Sequence, residues 1–92
     1  MEKMFIVSGY NILYFLLAEN EKDARAAIRD GENLRECDYS QAFTIRYGYQ
    51  PLYRVRKGVD RLSRLDYITT DRIDKREFLA ENPDVYTERK FL

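Results

Sequence analysis

Between residues 46 and 64 basic side chains interleave with tyrosines: Arg46, Tyr47, Tyr49, Tyr53, Arg54, Arg56 and Lys57, followed by Arg61 and Arg64. Guanidinium groups engage carboxylates and phosphates through paired hydrogen bonds, and tyrosine rings supply contact area with a polar tip, so this set suits recognition rather than bond breaking. Two kinds of partner fit it. An acidic surface on a larger host protein or nucleoprotein complex would use the arginines as anchors. A single-stranded nucleic acid would use them on phosphates, with the rings stacking on bases. The candidate partner-binding residues are Arg46, Tyr49, Arg54, Arg56, Lys57, Arg61 and Arg64.

Little else in the chain has the makings of chemistry. Histidine is absent, which removes the commonest general base and metal ligand, and a single cysteine cannot build a structural zinc site. Cys37 lies between Glu36 and Asp38, neighbours that disfavour a thiolate. Carboxylate pairs such as Glu19 with Glu21 and Asp71 with Asp74 fall where helices start, so capping explains them better than acid–base work. No GxxxxGK[ST] or GxGxxG motif occurs, and the four glycines fit turns and helix ends. The expectation is binding without catalysis, cofactor or metal.

The charge balance narrows the partner. Sixteen basic and sixteen acidic residues cancel, so the whole molecule exerts no long-range pull on nucleic acid or membrane. The charges are nevertheless segregated. Residues 44–76 hold nine basic groups against four acidic ones, and residues 19–41 hold seven acidic against four basic. Such a dipole is compatible with a basic face turned to an acidic partner, and equally with ordinary solvated surface. One cysteine fits a reducing cytosol. The apolar stretch Met4 to Ala18 is interrupted by Ser8, Gly9 and Asn11, and its longest piece, Ile12 to Ala18, is too short for a bilayer. With Glu2 beside Lys3 and no small-residue cleavage pattern, a signal peptide is not expected either; the location read from the sequence is cytoplasmic, without a membrane partner.

The elements that must position the arginines come from periodicity. Ala42 to Tyr47 and Tyr53 to Lys57 alternate with period two around Gly48 to Leu52, which predicts a hairpin with a five-residue loop. Pairing Tyr47 with Tyr53 gathers Phe43, Ile45, Tyr47, Tyr53 and Val55 on one face and Thr44, Arg46, Arg54 and Arg56 on the other. Arg46 then stands opposite Arg54, an arrangement that destabilises a sheet unless an external acid meets it. Met4 to Ser8 and Ile12 to Ala18 form a second hairpin around Gly9, Tyr10 and Asn11. Its second strand does not alternate, so helices or another molecule must cover both of its faces, and a homodimer through this hairpin is one way to do so.

Asn20 caps a helix starting at Glu21 and ending near Gly31, with Ala24, Ala27 and Ile28 on the packed side. Glu32 to Gln41 shows no period, with Leu34 and Tyr39 as anchors. Val59, Leu62, Leu65 and Ile68 predict a short helix, against which Leu65, Tyr67, Thr69 and Ile73 read as a strand. Asp74 to Glu77 is a capping box that opens a last helix, stopping near Asn82 and Pro83; the tail from Asp84 to Leu92 is extended or one further turn. The sum is a single α+β domain over residues 1–92, with a mainly antiparallel sheet of about four strands, one packed helix and a helical C-terminal part.

A compact hairpin, a strand running into YFLLAENEKDARAAI and a further hairpin resemble, in architecture, small phage and mobile-element inhibitors of host machinery, including anti-CRISPR proteins. The resemblance covers about the first half of the chain. It implies a non-enzymatic inhibitor or adaptor that covers a functional surface of a larger assembly, and it assigns no residue a role. The alternative is a small nucleic-acid-binding regulator.

Overall fold

The computed structural model describes residues 1–89. Its strands are β1 (Lys3–Gly9), β2 (Ile12–Ala18), β3 (Asn33–Cys37), β4 (Leu52–Val59) and β5 (Asp66–Ile73), with helices α1 (Glu21–Ala27) and α2 (Lys75–Glu81) and a 3-10 helix over Tyr39–Phe43. The strands form one sheet in the order β3-β1-β2-β4-β5. All neighbours are antiparallel except β2 and β4, which run parallel over Phe15–Leu17 and Leu52–Arg54. The sheet is therefore mixed and has five strands, one more than the sequence suggests.

Alternation along β1 and β2 divides the core between two faces. Met4, Ile6, Phe15 and Leu17 point to the side covered by Ala42 and Phe43 of the 3-10 helix and by Phe78 of α2, where the Phe43 and Phe78 rings stack at 5.9 Å. Phe5, Val7, Leu16 and Ala18 point to the side covered by Ala24 of α1. The two-sided apolar strand finds covers for Phe15 to Ala18 on both sides within its own chain, while Tyr10 and Ile12 at the turn end of the hairpin remain exposed. Asn11, with φ 65, closes the β1–β2 turn in the left-handed region that asparagine tolerates.

Asn20 and Asp74 both form the expected N-caps. Asn20 accepts from the Asp23 backbone N–H at 2.8 Å, and Asp74 accepts from Arg76 and Glu77 at 2.8 and 3.1 Å. The first helix is nevertheless shorter than expected: it ends at Ala27 because Ile28 turns extended to pack beneath the sheet, and Gly31, at φ 88, belongs to the turn into β3. That edge strand and the 3-10 helix occupy the stretch where no element was expected.

The hairpin expected between Ala42 and Lys57 does not form. Ala42 and Phe43 finish the 3-10 helix, residues 44–50 turn, and β4 pairs instead with β5 across eight residues from Leu52–Ile73 to Val59–Asp66. Lys75 explains the difference. Its ammonium donates to the carbonyls of Ala42, Tyr47 and Gly48 at 2.6, 3.2 and 3.2 Å and lies over the Phe15 and Phe43 rings, so the carbonyls at both ends of the expected first strand are turned toward α2. Tyr47 and Tyr53 consequently pack on opposite faces, and Ile45 is exposed. The helix expected from Val59 to Ile68 is replaced by the end of β4, a turn and the start of β5; the strand reading is the one realised. In the tail, residues 84–89 are irregular and Glu88 accepts from the Ile45 N–H at 3.1 Å, while residues 90–92 lie outside the described part.

Because β2 ends at Ala18, β4 and β5 continue past it as a two-stranded arm. The molecule measures 48 × 30 × 18 Å, with a radius of gyration of 14.0 Å, where a compact chain of this length has about 12 Å. Tyr67 lies flat across Gly58, filling the space of a missing side chain and stiffening the arm. Replacing Lys75 by Met should lower unfolding free energy by about 2–3 kcal/mol, since buried carbonyls lose their donor, and should speed amide exchange across 44–51 while leaving β1 and β2 protected. Denaturant unfolding with hydrogen exchange checks both.

Candidate docking arm

The structure separates the residues that the sequence groups together. Arg46 and Tyr49 sit in the 44–51 loop before β4, Arg54, Arg56 and Lys57 lie on β4, and Arg61 and Arg64 lie in the turn at the far end of the arm. Arg54 and Arg56 share the face of Leu52, whereas Lys57 points to the α1 face.

Each cation on β4 meets an internal carboxylate. Arg54 makes a two-point contact with Glu2, Nε to Oε2 at 2.7 Å and an Nη to Oε1 at 2.9 Å. That hydrogen bond raises the Arg54 pKa further above its ordinary value. Tyr39 holds the same segment by donating its hydroxyl to the Glu2 carbonyl at 2.6 Å. Arg56 approaches Asp71 at 3.4 Å, and Lys57 meets Asp23 of α1 at 2.8 Å, which raises the lysine pKa. The acid expected from a partner at Arg54 is thus supplied by the chain's own N-terminal segment. Arg46, freed from any strand, lies 5.2 Å from the Tyr47 ring centre and is exposed.

The far end of the arm differs. Asp60 turns its carboxylate back onto the Leu62 N–H at 2.9 Å, and bonds to the backbone of Leu62 and Ser63 lower its pKa. The Asp60 N–H donates to the Leu65 carbonyl at 2.9 Å, the Arg64 N–H to the Asp60 carbonyl at 2.8 Å, and Arg64 takes a left-handed φ of 57. This ordered turn holds Leu62 outward at 96% exposure, with Val59 and Leu65 exposed beside it. Arg61 and Arg64 flank them and have no ion pair among the described residues. Asp60, Leu62 and Leu65 carry the geometry, although the spacing of the leucines predicts a helix face. An aspartate able to bond the backbone N–H two residues on, Asp60 with Leu62, was the available signal.

At the other end of β5 an open cleft of about 780 Å³ lies between the 48–52 loop and α2, walled by Tyr49, Leu52, Ile73, Arg76 and Leu79. Lys75 forms its floor; burial, with Arg72 nearby, pushes the ammonium down to about 8, against which three carbonyls and two ring faces favour the charge. No group of three or more His, Cys, Asp or Glu among the described residues could hold a metal ion, and no described helix is long and apolar enough to cross a membrane. Comparison with protein-family models, curated proteins and solved structures gives no match.

Cys37 faces the core beside Tyr39, and burial pushes its thiol up to about 11; Arg35 opposes the shift, Asp38 and Glu36 add to it. Its alkylation by iodoacetamide at pH 8 should run about a hundredfold slower than that of an unfolded cysteine, and should recover the ordinary rate in denaturant.

Proposed function

We propose that this is a non-catalytic protein-binding domain, an inhibitor or adaptor, whose binding element is the tip of the β4–β5 arm. One observation carries the proposal: Leu62 stands almost fully exposed on a turn whose backbone is already fixed by Asp60 and Arg64. An apolar anchor held in its binding conformation loses little entropy on docking, and flanking guanidinium groups add directional contacts to carboxylates around the receiving pocket. The partner is accordingly a protein with an apolar pocket and an acidic rim.

The nucleic-acid alternative has weaker support. A β-ribbon carrying arginines can enter a groove, but Arg54, Arg56 and Lys57 are each within ion-pair distance of a carboxylate of the chain, which leaves few cations for a phosphate track. Placing a photo-crosslinking amino acid at position 62 should give a discrete protein adduct in the native lysate. The same probe at exposed Lys22 should give none, and Arg61→Glu with Arg64→Glu should weaken adduct formation at least tenfold without changing the circular dichroism. Adducts equal at both positions, or removed by nuclease, contradict the proposal.

A further inference from the structure

The two edges of the sheet are built differently. β3 is five residues long and presents exposed Arg35 and Glu36, the short charged edge that discourages further pairing. β5 is eight residues long, runs in unbroken register with β4, and has no proline and no charge from Tyr67 to Thr70. Among the described residues its outer backbone has no backbone partner. A long edge of this kind accepts another strand.

We propose that the occupant is a second copy of this chain, with the two β5 strands paired antiparallel about Thr69. This rests on the arm being the binding element and assigns a role to its β5 edge. A two-fold axis that joins two equal edges into one sheet stands normal to the sheet, so residues of like face oppose each other and one-residue slips are excluded. Among the remaining registers, charge selects one. With Thr69 facing its own copy, Ile68 meets Thr70, Tyr67 meets Asp71 and, near the ends of β5, Asp66 meets Arg72. A slip of two residues either way removes the Asp66–Arg72 pair and sets no opposite charges against each other within β5. Symmetry makes every favourable pair occur twice.

Antiparallel pairing brings the tip of each copy to the end of its partner where the cleft lies. That cleft carries Arg72, Lys75 and Arg76 against one carboxylate, Asp74, so the pairing uses the β5 edge and leaves Leu62 with its arginines to the acid-rimmed pocket of another protein.

Sedimentation equilibrium of the whole chain between 1 and 200 µM tests this, with a charge exchange at one pair. The wild type should dimerise. Asp66→Arg alone and Arg72→Asp alone should each raise the dimer Kd at least tenfold, and the double exchange should restore it to within about threefold, with matching denaturation curves showing that all variants fold. A wild type that stays monomeric across the range overturns the proposal, as does a dimer indifferent to either single exchange or not restored by the double. A monomer whose position 62 still crosslinks to a different protein overturns the dimer while sparing the arm as binding element; a monomer giving no specific adduct overturns both.

Discussion

β2 has no polar face, and the rest of the structure follows from covering it. Phe15 and Leu17 on one side and Leu16 and Ala18 on the other are all buried, and a strand of this kind contributes stability only if both sides are closed. α1, which starts directly after β2, closes one side. The other needs residues from much later in the chain, and the 3-10 helix and α2 supply them. Lys75 joins these two pieces by reaching from α2 to the carbonyls of Ala42, Tyr47 and Gly48. The chain thereby enters β4 parallel to β2 rather than folding back from residues 42–47.

That entry point determines what is left over. β4 is level with β2 only through Arg54, so its remaining length has β5 alone as a strand partner. Glu2 closes on Arg54 and Asp23 on Lys57 where the arm leaves the sheet, which neutralises the cations nearest the core. Ion pairs at this exposure contribute little to stability; they fix the direction of the arm but do not hold the fold together. Arginines that look like a contact surface in the sequence therefore serve to attach the arm, and the contact surface lies at its end.

How much of this was legible depends on how local the cause is. The β1–β2 hairpin, both helix caps, the stop before Pro83 and the α+β class follow from neighbours within a few residues. The strand at 66–73 was visible as an alternation competing with a helical one. Ala42 to Tyr47 alternates as cleanly as any strand, and what overrides it is a lysine about thirty residues away. β3 went unseen because Asn-Leu-Arg-Glu-Cys is the composition of a solvated edge. Phe15 to Asn20, FLLAEN, is strand and cap, whereas Phe78 to Asn82, FLAEN, is helix and stop, so even a near-identical string takes its structure from its surroundings. Of the candidate residues, Arg61 and Arg64 lie at the exposed tip; Arg54 was marked for an acid that proved to be Glu2, fifty-two positions away.

Interstrand contacts measured by solution NMR test the central claim most directly, because parallel β2–β4 pairing and the 42–57 hairpin put different protons together. The structure requires cross-strand signals from Phe15, Leu16 and Leu17 to Leu52, Tyr53 and Arg54 in parallel order, with Val55 opposite Thr70 on the other side of β4. Antiparallel signals linking Tyr47 to Tyr53 and Ile45 to Val55 would contradict it, and with it the projection of the arm.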